Sequence, residues 1–240
     1  VAEGSTAPSK VYGLGVGPGD PELITLKSLR LLRACPVLAY PAPETGDSLA
    51  RAIVAEHLPG DQIEIPIRMP LEVARFPAQA VYDRAAGEIG AQIAQGRDVA
   101  VLCQGDPFFY GSFMYLFGRL AETCPVQVVP GVSSLTACAA ALGAPLAARN
   151  DILAVLPGPL PEDELAKALS TVEAAAIIKL GRHFGKVRRV LETLGLVENA
   201  RYIAHATMAD QTILPLAAVE AEEVPYFSMI LVHRRGSAWQ

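Results

Sequence analysis

Long uninterrupted hydrophobic runs are missing from this chain of 240 residues, although 51% of it is apolar. One long uncharged stretch, Pro125–Ala148, is broken by Pro130, Gly131, Gly143 and Pro145, so it does not read as a membrane span. The first ten residues, VAEGSTAPSK, lack the apolar core of a signal peptide and read as a loose polar tail. Cysteine is scarce. Cys35, Cys103, Cys124 and Cys138 form no CxxC pair, which speaks against a zinc ribbon or a thioredoxin-like site. Three of them sit in apolar stretches, as buried free thiols do, and this implies a reducing, cytoplasmic setting. Positive charge is short as well: 20 basic against 25 acidic residues leave a net charge of −5. A bulk electrostatic affinity for nucleic acid or an anionic membrane is therefore not expected.

What is present is a globular composition. The high apolar content with only 19% charged residues lies far from the regime of disorder. Length divided by ~150 gives about 1.6, one large domain or two small ones. Arginine dominates the basic residues, 15 against 5 lysines. Its planar fork binds carboxylates bidentately, although a GC-rich genome gives the same bias.

Short apolar runs alternate with helical patterns from the start. Strands are predicted at Val11–Val16, Pro36–Tyr40, Gln62–Pro66, Asp98–Cys103 and Val126–Val129. Helices are predicted at Glu22–Arg33, Ser48–His57, Ala78–Gln95 and Phe113–Glu122. This βαβα alternation predicts a largely parallel sheet covered by helices on both faces. After Val129 the pattern changes. A small-residue helix at Ser134–Leu142 precedes strands at Ile152–Leu156, Ala175–Lys179, Arg201–Ala204, Thr212–Pro215 and Phe227–Val232, with helices at Glu162–Ser170 and Gly185–Leu194. Few crossover helices separate the last three strands, which predicts a mixed sheet. The expected organisation is a tail over residues 1–10, an α/β domain over 11–130 and a second α/β domain over 131–240.

Two loops share a local design: GVGPGDPEL (15–23) and QGDPFFYGS (104–112) each place Gly-Asp-Pro between a strand and a helix. Asp20 and Asp106 suit a helix N-cap, and Pro21 and Pro107 the first helical position. Glycines at strand carboxyl ends also let a ligand approach the backbone closely. A dinucleotide fingerprint is not matched, because Pro18 stands at the third glycine position and the following strand ends in Pro41 without a ribose-binding acid. GxxxxGK[ST] is absent, and Ser133 and Ser134 lie in PGVSSL rather than GxSxG. His57, His183, His205 and His233 show no metal-ligand spacing. GRHFGKVRR (181–189) is either a solvated helix face or a landing site for anionic groups. Phe108, Phe109 and Tyr110, crowded beside two glycines, are core residues or contacts for a flat ligand.

Six blocks in order give the chain a family likeness: VYGLGVGPGDPELITLK (11–27), QGDPFFYGSFMYL (104–116), VVPGVSSL (128–135), IIKLGR (177–182), HATMADQ (205–211) and YFSMILV (226–232). They resemble the successive signatures of the tetrapyrrole methylases, S-adenosylmethionine-dependent enzymes of the corrin and sirohaem pathways. GDPFFYGSFMYL, PGVSSLTACAAALG and ATMADQ are most similar to the branch that methylates C-20 of precorrin-2 in cobalamin biosynthesis. The resemblance implies two α/β domains with the active-site cleft between them, in a homodimer. It implies S-adenosyl-L-methionine as cofactor, S-adenosyl-L-homocysteine as product, and a cofactor pocket made of Pro18, Gln104, Gly105, Asp106, Phe109, Ser133, Ser134, Leu180, Ala206 and Met229. Two departures stand out. Related uroporphyrinogen methylases carry an acid just after the tyrosine of the second strand, whereas Tyr40 is followed by Pro41, so no general base is assigned. Gln104 stands where a glycine or an acid is expected.

A tetrapyrrole bearing many carboxylates gives cleft-facing arginines a purpose. Arg149, Arg182 and His183 are the candidate carboxylate contacts, and Tyr40 and Tyr110 the candidates to flank the ring. The alternatives are a cobalt-containing precorrin as substrate, another regiospecificity in the same family, a dinucleotide-dependent oxidoreductase, and an inactive adenosyl-ligand sensor.

Overall fold

The computed structural model describes residues 8–69 and 79–238. Most of the expected N-terminal tail and the first residue of the helix expected at 78–95 lie outside them. The chain divides between Ser133 and Ser134 into two compact units.

The first unit is built on five parallel strands, β1 (Val11–Gly15), β2 (Val37–Pro43), β3 (Ile63–Met69), β4 (Val99–Cys103) and β5 (Val126–Val129), in the order β3-β2-β4-β1-β5. β4 is buried at all five positions, as a central parallel strand must be when helices cover both faces. On one face, α1 (Leu26–Ala34) and α2 (Leu49–Ile53) pack Leu31, Leu32 and Ile53 against Leu14, Leu38, Ala100 and Leu102. On the other, α3 (Gln79–Ala94) and α4 (Phe113–Leu120) pack Tyr82, Ile89, Phe113 and Leu116 against Val11, Val37, Val99 and Val101. Gly13 is required here, since a Cβ would overlap the ring of Phe113.

The helix expected over Glu22–Arg33 is divided. Asp20 caps a single 3-10 turn, Pro21–Leu23, by accepting from the Glu22 N–H at 2.8 Å. Ile24 is extended, and Thr25 then opens α1 by accepting from the Ser28 N–H at 3.2 Å. Two cap side chains five residues apart outcompete one continuous helix. A second departure concerns Asp106. α4 begins at Phe113, so Asp106 caps a turn at 107–108 and not the helix.

The second unit carries a mixed sheet, β6 (Leu153–Pro157), β7 (Ala174–Ile178), β8 (Ala200–Ala204), β9 (Thr212–Pro215) and β10 (Ser228–His233), in the order β6-β7-β10-β8-β9. Only β6 and β7 pair in parallel; the other pairs are antiparallel. One face is covered by α6 (Glu162–Thr171) and α7 (Phe184–Thr193), whose Leu165, Leu169, Phe184, Val187 and Leu191 are almost wholly buried. On the other face lies α5 (Ser134–Ala141), which brings Cys138 against Ala176, Ile203 and Met229. The loop before β6 is latched to the end of β10. Asp151 accepts two bonds from the Arg235 guanidinium at 2.8 and 2.9 Å and one from the Ala148 N–H at 2.8 Å. His233 Nε2 lies 3.2 Å from the same carboxylate, while its Nδ1 accepts from the Arg235 N–H. The four cysteines are free thiols, three of them buried. Among the described residues, no helix is long and apolar enough to cross a membrane.

Candidate active site

In the first unit, the chain leaving β1 runs through α1 to β2 on one side, and the chain leaving β4 runs through α4 to β5 on the other. β1 and β4 are neighbours, so the direction of winding reverses between them. In open α/β sheets the crevice at such a reversal, outside the strand carboxyl ends, is where ligands bind. Both Gly-Asp-Pro loops emerge there.

The loops are joined by their own backbone. Val16 N–H donates to the Cys103 carbonyl at 3.0 Å, and Gly105 N–H to the Gly17 carbonyl at 2.7 Å. Gln104 Nε2 donates to the carbonyl of buried Pro18 at 3.1 Å. The Pro130–Gly131 turn, which leaves β5, meets both loops. A Cβ on Gly15 would stand 2.7 Å from the Gly105 carbonyl oxygen, and one on Gly131 would overlap that oxygen. Three strand ends thus converge on Gly15, Gly105 and Gly131, a junction whose backbones pack directly against one another. Asp106 closes it: Oδ1 accepts from the Phe108 N–H at 2.9 Å and Oδ2 from the Gly131 N–H at 3.0 Å.

Phe109 and Tyr110 follow directly. Their rings meet edge to face at 5.2 Å, and Tyr110, with φ of 56°, is 44% exposed. A non-glycine residue in the left-handed region costs of order 1 kcal/mol or more and marks a backbone held by its surroundings. Ser133 ends this unit and Ser134 opens α5 of the other. Tyr40 is placed differently from the expectation. Its ring is buried among Leu38, Ala42 and Ile53, and its hydroxyl donates to Glu64 Oε2 at 2.6 Å. Arg51 grips the same carboxylate through Nε and Nη2, both at 2.7 Å. The Arg51 fork, aided by Tyr40, holds the Glu64 carboxyl below its usual range, and burial, with Glu64 second, pushes the Tyr40 phenol up. Tyr40 is thereby tied to the β2–β3 edge, with its ring largely buried.

In the second unit, Leu180 follows β7, Ala206 follows β8 and Met229 is the second residue of β10, so all three lie at one end of the sheet. Leu180 and Met229 are core side chains, Leu180 beneath α7 and Met229 beneath α5. What this end offers a ligand is backbone, and that backbone is constrained: Lys179, His205 and Thr207 have φ of 58°, 48° and 68°. His205 Nδ1 lies 2.5 Å from Asp210 Oδ2, and the Thr207 N–H donates to Gln211 Oε1 at 2.8 Å. Arg182 and His183 form a 3-10 turn at the same end, with Arg182 Nε 3.4 Å from His183 Nε2. Burial, and then the charges of Lys186 and Arg182, lower the His183 pKa, which favours its neutral imidazole.

Arg149 is not with them. It sits two residues before Asp151, whose partner His233 pairs with Ala174 at the opposite end of β7. β7 has five residues, which at ~3.3 Å each separates its ends by roughly 13 Å or more. Arg149 thus lies at the end of the second-unit sheet opposite Arg182 and His183. Among the described residues, no group of three or more His, Cys, Asp or Glu side chains is placed to hold a metal ion.

Sequence reasoning did not single out Gly131, Lys179, His205 and Thr207 as parts of these ends. All four lay inside the quoted motifs, but the left-handed backbone of Lys179, His205 and Thr207 has no signal in residue type.

The geometry defines a two-unit α/β protein with glycine-lined strand ends. Residues 10–221 match the family described as Tetrapyrrole (Corrin/Porphyrin) Methylases, and the chain belongs to that family. It is 40% identical to a precorrin-2 C(20)-methyltransferase of Sinorhizobium sp., over 93% of this chain and 94% of that one. It is 34% identical to a cobalt-precorrin-2 C(20)-methyltransferase of Salmonella typhimurium, over 94% and 97% respectively. Among solved structures, a cobalt precorrin-4 methyltransferase superposes with a TM-score of 0.71 at 26% identity, covering 95% of this chain and 96% of that one. A uroporphyrin-III C-methyl transferase from Thermus thermophilus, complexed with S-adenyl homocysteine, gives 0.66 at 25% identity, covering 94% and 92%.

Proposed function

We propose that this protein transfers a methyl group from S-adenosyl-L-methionine to C-20 of precorrin-2, leaving S-adenosyl-L-homocysteine. The observation that carries the reading is the glycine junction at the β4, β1 and β5 carboxyl ends, in a chain 40% identical along nearly its whole length to an enzyme named for that reaction. The junction suits an adenosyl ligand because glycines at strand carboxyl ends let a ligand approach the backbone amides and carbonyls closely. Pro18, Gln104, Gly105, Asp106, Phe109, Ser133 and Ser134 are assigned to the cofactor region, with the backbone at Leu180 and Ala206 and, more remotely, Met229.

The bound sulfonium supplies an electrophilic methyl group. Attack by the electron-rich macrocycle on that methyl would form the new C–C bond with an electron pair of the ring, leave the S–CH3 pair on sulfur and release a proton from C-20. The protein's contribution is to hold donor and acceptor in line and to exclude water. Arg182 and His183 are assigned to the ring carboxylates, Arg182 as the permanent cation and neutral His183 as a hydrogen-bonding partner. Tyr110, exposed beside the second loop, is assigned to the ring face. The working form is a homodimer, a reading supported by the exposed apolar surface of Phe108, Met114 and Tyr115, and the setting is cytoplasmic, supported by four unpaired thiols.

Incubation with S-adenosyl-L-methionine and either precorrin-2 or its cobalt complex, followed by NMR assignment of the methylated carbon, tests the reading. Methylation at C-20 of the metal-free ring is expected. Turnover of the cobalt form alone, or a methyl on another carbon, would replace it.

A further inference from the structure

We propose that the second unit carries an anion site, with Arg201 and Ser237 as its donors and a small monovalent anion of chloride or formate size as its ligand. The site is separate from methyl transfer. β7 and β8 run in the same direction, so Arg201, second in β8, lies toward the start of β7, away from Arg182 and His183, which follow its end. A cavity of about 20 Å³ opens there. It is bounded by the chain after α5 (Ala144–Leu146), by Asn199 and Arg201, and by the end of β10 with the turn that follows it. One water needs about 10–15 Å³, so the space suits a single small ion or one or two waters.

Two groups in its wall want an acceptor. Ser237 is 8% exposed, and its Oγ is buried with no hydrogen-bond partner among the described residues. A buried hydroxyl left unpaired is destabilising, so a group that accepts from it is favoured. Arg201 commits Nη2 to the Gly236 carbonyl at 2.9 Å, one residue from Ser237, and no carboxylate among the described residues pairs with its guanidinium. The other polar lining residues are engaged elsewhere. His233 turns Nε2 to Asp151 and accepts at Nδ1 from the Arg235 N–H, and Asn199 donates through Nδ2 to the Arg234 carbonyl. No Asp or Glu lines the cavity, so its one permanent charge is positive. A water satisfies the Ser237 hydroxyl and leaves that charge without a counterion; an anion satisfies both. Pro145, Leu146 and Leu231 complete the wall, and an apolar wall strengthens a charge-assisted bond. Arg201 is itself exposed, which gives an ion a way in from solvent. Bridging β8 to the turn after β10, the anion stabilises the second unit.

The test follows thermal unfolding as sodium chloride or sodium formate replaces sodium gluconate at one fixed ionic strength, the gluconate anion being too large for the cavity. Chloride and formate should raise the melting temperature saturably, by about 3–6 °C at roughly ten times the dissociation constant. Ser237→Ala should shift the midpoint of that rise to about ten-fold higher anion, the loss of one charge-assisted hydrogen bond. Arg201→Gln should abolish saturation, with the near-ultraviolet circular dichroism of both variants matching the parent's. In a bromide-soaked crystal of the parent, the ion should lie within hydrogen-bond reach of Arg201 and Ser237, and this decides the site should either variant not fold. Melting temperatures that do not respond, or that saturate unchanged in both variants, would overturn the proposal. So would a water at the site in the presence of bromide. Bromide there without a saturable shift in solution would mean an adventitious ion only, and would overturn it as well.

Discussion

At the scale of single residues, the junction depends on what three positions do not carry. Gly131→Ala forces a methyl group into the Gly105 carbonyl. The expected cost is that of overpacking, about 1–3 kcal/mol of stability in a denaturant titration, together with loss of S-adenosyl-L-homocysteine binding. Asp151 is the opposite case, a side chain whose partners are all supplied. The Arg235 fork, then the Ala148 N–H and His233, hold its carboxyl far below the usual range. A folded-state pKa below the unfolded one means that this stabilisation is fully present above ~4 and is lost progressively as pH falls from there through the much lower folded-state value. Asp151→Asn should lower the melting temperature at pH 7 and flatten its decline between about pH 4 and pH 2. Calorimetric scans at a series of pH values would show it; a variant with the parent's acid slope would mean that the latch is not a source of acid sensitivity.

Secondary-structure elements were legible where composition is simple. DVAVLC predicts a buried strand because apolar residues on both faces have no other stable place in an α/β sheet, and β4 is that strand. The two identical Gly-Asp-Pro strings were not equally legible. Asp20 caps the turn that follows it, a local event, whereas the second bond of Asp106 reaches Gly131, and no local pattern announces a partner 25 positions away. The end of the sheet that Arg149 occupies was not legible for a different reason: a sequence places residues before or after a strand, but which ends share an edge depends on strand direction. β8 runs parallel to β7 only because β10 lies antiparallel between them. This gives a paired prediction. Arg182→Ala should raise KM for the tetrapyrrole about ten-fold while leaving S-adenosyl-L-homocysteine affinity intact, whereas Arg149→Ala should change neither. Equal loss of both ligands in Arg182→Ala would reject its assignment to the ring carboxylates.

For the whole molecule, a net charge of −5 and the proposed polycarboxylate substrate are reconciled by local rather than global electrostatics. Lys179, Arg182 and Lys186 cluster in sequence after β7, where a field of short range suffices to attract anions. Raising ionic strength from about 0.05 to 0.5 M should therefore increase KM for the tetrapyrrole several-fold, with little effect on the affinity for the adenosyl ligand. A salt-independent KM would place recognition of the ring outside this cluster. The thiols described with the fold have a practical consequence for handling. Burial pushes Cys35 and Cys138 up to about 12 and raises Cys103 further, with Cys124 raised less. At pH 7 the thiolate fraction of Cys35 and Cys138 is on the order of one in 100,000, and thiolate is the form that electrophiles capture. Iodoacetamide should label the folded protein slowly and at Cys124 first, the thiol that is only partly buried, so a mass shift at Cys35, Cys103 or Cys138 would report opening of the fold.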